Sequence, residues 1–199
     1  MKSVLISIKP KYCELIVLGL KTVELRKTKP KIETPFKCYI YQSKTVYVSK
    51  NKTNEFLKPI QDKRFGKVIG EFVCDKIDKI VHAGTSNENI QLCIFDDDWQ
   101  YIPLSNEYLY QTQLSYAELE KYSNGGNLYG WHISNLVIYD EPKELREFGR
   151  ECNLDCSSVR CSYWKYQRVN TDEWDFDCSC NDIKLLKRPP QSWCYVEEQ

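Results

Sequence analysis

The spacing of apolar residues at the start of the chain predicts a strand, a helix and a second strand in close succession. Aliphatic and β-branched residues dominate Ser3–Ile8, which favours a strand. A helix is predicted to begin at Pro10, because proline is favoured in the first helical turn, and to end at Gly19, which suits a left-handed C-terminal position. The next apolar positions predict a strand at Val23–Arg26.

This second strand carries three charges close together. Side chains alternate between the faces of a strand, so Glu24 and Arg26 share one face while Val23 and Leu25 share the other. Lys21 lies in the turn that leads into the strand. The apolar face suits a core, and the charged group either recognises a polar ligand or forms a structural ion pair.

The rest of the chain alternates predicted strands with short helices and long loops. Strands are predicted at 36–42, at 67–80 with a bulge at Gly70, at 128–139 and at 192–196. Short helices are predicted at 115–122, where Ser115 and Glu118 form a capping box, and at 142–148. Residues 45–65 are interpreted as an exposed insertion and 81–113 as a loop. This pattern predicts an α+β, mainly β fold, either a small mixed domain or a β-barrel.

Composition limits the classes of protein that fit. The chain has 199 residues, of which 42% are hydrophobic, enough for one sizeable domain. It contains no apolar run of about 18 residues, and its first residues do not resemble a signal peptide, so we expect a cytoplasmic protein with no membrane partner. In such a reducing compartment, cysteines are thiols or metal ligands more often than disulfides.

Charge is unevenly distributed along a chain whose formal net charge is zero. Residues 1–79 contain 18 Lys/Arg and 8 Asp/Glu, whereas residues 80–199 contain 10 and 20. The basic half either forms a patch for phosphate groups or faces the acidic half and is neutralised by it.

Five of the ten cysteines cluster in a polar, acidic segment near the end of the chain: Cys152, Cys156, Cys161, Cys178 and Cys180. The segment has too few apolar residues to bury a core of its own, so four thiolates around a structural Zn²⁺ are the favoured interpretation. Reduced thiols, a disulfide or another metal are the alternatives, and five candidates leave one cysteine without a place on the metal. The dispersed cysteines lie in apolar runs and are predicted to be buried thiols: Cys13, Cys38, Cys74, Cys93 and Cys194.

Several motifs, in this order, resemble the ASCH domain family of the PUA-like superfamily. The first is Gly-x-Lys-x-x-Glu-x-Arg after a strand, a proline and a short helix, here Gly19, Lys21, Glu24 and Arg26. The others are SIKPKY at 7–12, IGEF at 69–72, LSYAEL at 114–119, YGWHI at 129–133 and RPPQSW at 188–193. The resemblance assigns residues 1–148 and 185–199 to a PUA-like/ASCH β-barrel and residues 149–184 to a Cys-rich insertion before the last strand.

This resemblance implies a barrel with short flanking helices and a cleft that binds RNA or nucleotide-like ligands. The predicted ligand-binding residues are Ser7, Lys9, Lys21, Glu24 and Arg26. Glu24 can accept from the exocyclic amine of a base, and Arg26 can donate to a phosphate or a base edge. The competing interpretation is that Glu24 and Arg26 only pair with each other and brace the fold.

An enzyme is the alternative to a binding module. Some small family members are amidohydrolases that deacetylate N4-acetylcytidine with the signature lysine, to which Lys21 corresponds. Lys21 and Glu24 are therefore the predicted catalytic residues of a hydrolase acting on a modified nucleoside or on RNA. Glu24 occupies the place of the threonine in those enzymes, which removes a nucleophile.

Aromatic residues and the insertion add two further expectations. Three aromatic residues either stack on a base or pack in the core: Tyr12, Trp131 and Trp193. Core packing is the favoured interpretation for each. His132 is expected to be hydrogen-bonded or exposed rather than catalytic. The Cys-rich insertion offers a surface for a protein partner.

Overall fold

The computed structural model describes residues 2–44, 63–84, 90–151 and 183–198, which form two β-sheets and three helices. The strands are β1 Ser3–Ile8, β2 Val23–Arg26, β3 Phe36–Gln42, β4 Val68–Cys74, β5 Ile77–Ala83, β6 Gln91–Phe95, β7 Tyr101–Pro103, β8 Leu128–His132, β9 Ser134–Lys143, β10 Phe148–Glu151, β11 Ile183–Leu185 and β12 Trp193–Glu198. The helices are α1 Pro10–Val17, α2 Asn106–Thr112 and α3 Tyr116–Ser123, with a 3₁₀ helix at Leu145–Glu147.

The larger sheet has seven strands in the order β11-β10-β12-β1-β3-β4-β9. Its central strand β1 pairs in parallel with β3 and antiparallel with β12. Both faces of β1 are covered: Ile6 packs in a cluster with Cys13 and Ile16 of α1, while Leu5 packs on the opposite side with Phe148. Burial on both faces explains why β1 is almost continuously aliphatic instead of alternating with polar residues.

The smaller sheet has five strands in the order β2-β8-β5-β6-β7. Strand β2 lies at its edge and pairs antiparallel with β8. The apolar side of β2, formed by Val23 and Leu25, packs with Tyr108 of α2 and Leu119 of α3. This packing holds both helices against the strand that bears the charged residues.

Much of the predicted secondary structure is confirmed. The bounds of β1, β2 and β3 agree with the prediction, and α1 begins at Pro10. The capping box at the start of α3 is present, since Ser115 accepts from the backbone N–H of Glu118 and the Glu118 carboxylate accepts from that of Ser115. The register of β4 against β9 shifts between Val68 and Gly70, in agreement with the bulge predicted at Gly70.

Two predicted long strands are wrong, because each is a pair of strands in different sheets. The run at 67–80 breaks at Asp75 and Lys76, so that β4 belongs to the larger sheet and β5 to the smaller. The run at 128–139 breaks at Ile133, between β8 and β9. Local hydrophobicity does not reveal such a change of sheet, because both strands bury apolar side chains.

Two further predictions of secondary structure are wrong. The interval 81–113 is not a loop but contains β6, β7 and α2. Leu92 of β6 and Tyr108 of α2 are buried in a cluster with residues of other elements, whereas β7 is exposed. The helix predicted at 142–148 is a single 3₁₀ turn followed by β10. The fold is thus α+β and mainly β, while closure into one barrel stays a prediction because the pairing found among the described strands forms two separate sheets.

Candidate functional site

The turn between α1 and β2 directs a lysine into the protein interior. Gly19 has a φ of +70°, and the backbone N–H groups of Leu20 and Lys21 both donate to the carbonyl of Leu15, at 2.9 and 3.0 Å. This closure of the helix end is the role expected of a glycine in the left-handed region. It turns the chain so that Lys21 is only 2% exposed.

The ammonium group of Lys21 has a partner on three sides. Its Nζ donates to the backbone carbonyl of Thr112 at 2.5 Å, lies 3.4 Å from Oε2 of Glu24 and sits 5.3 Å from the ring centre of Tyr12. Burial lowers the pKa of Lys21, although the nearby Glu24 carboxylate acts in the opposite direction. The lysine thus connects the end of α2 to the charged face of β2.

Glu24 and Arg26 lie side by side on the same face of β2, as the alternation predicts. Arg26 Nη2 is 3.0 Å from Oε1 of Glu24 and donates to the backbone carbonyl of Ser7 at 2.7 Å. Arg26 Nη1 reaches the Ser192 hydroxyl at 3.5 Å, and Arg26 Nε is buried with no hydrogen-bond partner among the described residues. At 7% and 8% exposed, Glu24 and Arg26 form a buried ionic cluster with Lys21.

This cluster lines one side of a cleft of about 1430 Å³. Seven Lys or Arg residues and three Glu residues line it, a clear excess of positive charge. The residues come from α1, α3 and the 3₁₀ helix, from β1, β2 and β3, and from the segments after β3, before β4 and before β12. A cleft of this kind offers both hydrogen-bonding groups and an electrostatic attraction for anions.

The cleft contains all five predicted ligand-binding residues. Lys21, Glu24 and Arg26 are those of the buried cluster. Ser7 is half-buried and donates its hydroxyl to the carbonyl of Pro190 at 2.7 Å, while Lys9 is exposed beside the start of α1. The five residues therefore line one cleft, and their contact with a ligand stays a prediction.

Other residues of the cleft were not predicted from the sequence. They are Lys44, Lys121, Tyr122, Arg146 and Lys187, which come from four separate regions of the chain. Each is a surface residue type in an ordinary context, so no local signal could have placed it there. Only the packing of these separate regions around β2 makes them neighbours.

The aromatic candidates have different environments. Tyr12 lines the cleft, and burial raises its pKa. Trp131 is fully buried and contacts Phe36 edge-on at 5.8 Å, which confirms core packing. Trp193 packs against Trp131 and donates its indole N–H to the Thr28 hydroxyl at 2.9 Å, so it too is structural.

His132 is hydrogen-bonded, as the sequence suggested. Its Nε2 is 2.6 Å from Oδ2 of Asp78, which is itself buried and also lies 2.8 Å from Nζ of Lys76. Trp131 and His132 are neighbours in β8, and Asp78 is in β5, so this contact links two adjacent strands away from the residues that line the cleft.

The predicted zinc ligands lie outside the described residues: Cys152, Cys156, Cys161, Cys178 and Cys180. Within the described ranges, no group of three or more His, Cys, Asp or Glu side chains is arranged to hold a metal ion. The zinc site and the boundary of its insertion therefore stay predictions, which metal analysis of the purified protein checks. The five dispersed cysteines are buried thiols, as predicted, and burial raises the pKa of Cys74 to about 12.

Comparisons with known proteins give structural similarity only. No model of a known protein family matches the sequence, and no curated protein matches it either. Among solved structures, the chain is similar to ASCH from Zymomonas mobilis, with a TM-score of 0.41 and 20% identity over 72% of this chain and 73% of that one. A mutant of the same protein, ZmASCH, is similar with a TM-score of 0.45 and 20% identity over 73% of this chain and 77% of that one.

These structures carry the name of the family that the sequence motifs resemble. In the part of the chain that the structure describes, none of the helices has the length and apolar character needed to cross a bilayer.

Proposed function

We propose that this chain is an ASCH-type binding module that recognises RNA or a nucleotide-like ligand in the cleft at Lys21, Glu24 and Arg26. The observation that carries the proposal is the position of Glu24, a buried carboxylate held between two buried cations at the side of a large basic cleft. A nucleobase presents N–H donors that a carboxylate can accept, and its phosphate groups are attracted by positive charge.

The size and lining of the cleft agree with such a ligand. Its volume of about 1430 Å³ exceeds the roughly 300–1,000 Å³ that is usual for small-molecule pockets. There is room for a base together with its sugar and neighbouring phosphates. Tyr12 and the partly exposed Tyr122 both line the cleft and supply aromatic surface of the kind on which bases stack.

The contacts of Lys21 favour binding over catalysis. A general base needs an unshared electron pair directed at its substrate, but Nζ is enclosed by Thr112, Glu24 and Tyr12. The buried position of Lys21 makes it better suited to hold Glu24 in place than to attack or deprotonate a ligand.

A hydrolase acting on a modified nucleoside, such as N4-acetylcytidine, is the second candidate. One observation favours it: burial lowers the pKa of Lys21, which increases the fraction of neutral amine that base catalysis requires. Turnover of N4-acetylcytidine by the wild type, abolished by Lys21→Met, would establish the enzyme and reject a pure binding module.

Isothermal titration calorimetry with the four ribonucleoside 5′-monophosphates and a mixed-sequence RNA octamer tests the binding proposal. We expect at least one of these probes to bind, and Glu24→Gln to weaken that binding by roughly tenfold or more, since the carboxylate acceptor is lost. Asp78→Asn is the matched control, because Asp78 is also a buried carboxylate but does not line the cleft.

Two results would contradict the proposal. One is the absence of binding to every probe by a wild-type protein that is shown to be folded by circular dichroism. The other is an equal loss of affinity in the Glu24 and Asp78 variants, which would indicate a general effect on the fold instead of a lost ligand contact.

A further inference from the structure

The charged residues of the cleft separate into two zones with different exposure. The first, here called the cleft floor, consists of buried or half-buried residues: Ser7, Tyr12, Lys21, Glu24 and Arg26. The second, here called the cationic rim, consists of exposed basic residues: Lys9, Lys44, Lys121, Arg146 and Lys187.

Most donors of the cleft floor are already engaged within the protein. Arg26 Nη2 donates to the Ser7 carbonyl at 2.7 Å and faces Glu24 at 3.0 Å. Arg26 Nε has no hydrogen-bond partner among the described residues, but it is buried and so not accessible to a phosphate. Lys21 donates to the Thr112 carbonyl. A phosphate placed on the floor would find few available donors and would meet the negative charge of Glu24, so the floor is a poor site for an anion.

The cationic rim has the opposite character. Among the described residues, none of its five members has a carboxylate oxygen within 4.0 Å, so their charges are not neutralised by ion pairs. The acidic residues beside them are otherwise engaged. Glu118 accepts from Ser115 in the capping box of α3, and Glu144 lies 3.0 Å from Nζ of Lys67.

We propose that a ligand enters the cleft with an uncharged hydrogen-bonding group directed at Glu24 and with its phosphate on the cationic rim. This inference rests on the function proposed above and narrows it. The protein selects nucleoside phosphates and RNA over free nucleosides, and the selection comes from the rim instead of from Arg26. It differs from the expectation that the signature arginine itself binds phosphate.

Calorimetry with paired probes tests this orientation. Each of the four ribonucleosides is compared with its own 5′-monophosphate at low and at high salt. We expect the best monophosphate to bind at least about tenfold more tightly than its nucleoside at low salt, because hydrogen bonds to a charged group are among the stronger ones. The advantage should shrink at high salt, since exposed charges are screened.

A triple variant of the rim, Lys9→Gln, Lys121→Gln and Lys187→Gln, separates the rim from the floor. All three lysines are exposed, so we expect the variant to fold. It should reduce the affinity for the monophosphate to that for the nucleoside, both measured on the same variant. The matched control is Lys29→Gln, Lys31→Gln and Lys79→Gln, three exposed lysines that do not line the cleft, and it should retain the tenfold advantage.

The possible failures are distinguishable. Equal affinity of the wild type for nucleoside and monophosphate, or an advantage that survives in the rim variant, would overturn the proposed orientation while the binding function stands. Loss of the monophosphate advantage in the control variant as well would also overturn the proposed orientation. The advantage would then depend on the overall positive charge of the protein and not on the cationic rim. Absence of binding to nucleosides, monophosphates and the RNA octamer would reject the binding function and this inference with it.

Discussion

Glu24 and Asp78 are buried to a similar degree, at 7% and 4% exposed, but the charged residues that pair with them differ in their exposure to solvent. Both cationic neighbours of Glu24 are buried with it. Asp78 forms an ion pair with Lys76, whose side chain is 67% exposed, and a hydrogen bond with His132. The Glu24 cluster keeps three charges out of water, whereas the Asp78 cluster is in contact with solvent through Lys76.

This difference has an energetic meaning. Removing several charges from water costs free energy, and the attraction between them often does no more than cancel this cost. Apolar residues of similar volume therefore often stabilise a protein at least as well as a buried ionic cluster. The contacts of Asp78 join β5 to β8 with little of that cost, because Lys76 stays hydrated. Bracing therefore accounts for the Asp78 cluster, whereas the more costly Glu24 cluster at a large cleft agrees with the proposed recognition of a ligand.

Substituting Glu24 by Ala should give the largest loss of stability. It leaves Lys21 and Arg26 buried without a counter-charge, which typically costs about 3–5 kcal/mol. Asp78→Ala should cost distinctly less, since the remaining Lys76 is exposed to water. Urea unfolding of both variants measures this, and an equal or greater loss for Asp78→Ala would break the comparison.

Lys21→Met should have an intermediate effect that depends on pH. Glu24 keeps Arg26 as a partner, so we expect a loss of about 1–3 kcal/mol near neutral pH from the missing charged hydrogen bonds. Because the pKa of Lys21 is lowered in the folded protein, the unfolded chain binds more protons just below its ordinary pKa of 10.5. The advantage of the wild type over the variant should thus grow as the pH rises towards 10.5.

Unfolding free energies of wild type and Lys21→Met at pH 7.5, 8.5 and 9.5 provide the measurement. The difference between the two proteins is used because other groups titrate equally in both. A difference that shrinks with rising pH would show that Lys21 is stabilised in its charged form and would contradict the dominance of burial.

Asp78→Asn should cost about 1 kcal/mol near neutral pH, the usual contribution of a hydrogen bond. Burial alone would raise the pKa of Asp78, but hydrogen bonds from His132 and Lys76 outweigh it and lower the pKa below its ordinary 3.8. A carboxyl with a lowered pKa stabilises the fold above 3.8 and loses that contribution as the pH falls further. Unfolding at pH 7, 4 and 2.5 should show the gap between wild type and variant closing in acid, and a constant gap would refute this assignment.

Lys76→Gln should have the smallest effect, under about 0.5 kcal/mol, because the Lys76 side chain is 67% exposed and Asp78 keeps its hydrogen bond with His132. Thermal unfolding at low and high salt measures it. A loss comparable to that of Lys21→Met would mean that the two clusters do not differ as their exposure indicates.

Local sequence patterns predicted the elements that bear the central site. Proline at the start of α1, Gly19 at its end and the alternation in β2 are short-range signals, and together they correctly assigned Glu24 and Arg26 to one face. The capping box of α3 was predictable for the same reason. These features depend on backbone conformations that a few neighbouring residues determine.

Tertiary structure alone decided where the chain changes sheets and what surrounds the charged residues. The break at Ile133 falls on an apolar residue, and the charged pair Asp75 and Lys76 resembles Asp78 and Lys79, which lie inside β5. The apolar residues of β6 and α2 acquire their partners from segments elsewhere in the chain. The carbonyl of Thr112, 91 positions from Lys21, and the cationic rim come from long-range packing that no local pattern encodes. Sequence by itself determined which charges share a strand. The fold determined which of them are buried and which line the cleft, because burial is a property of the whole packed chain.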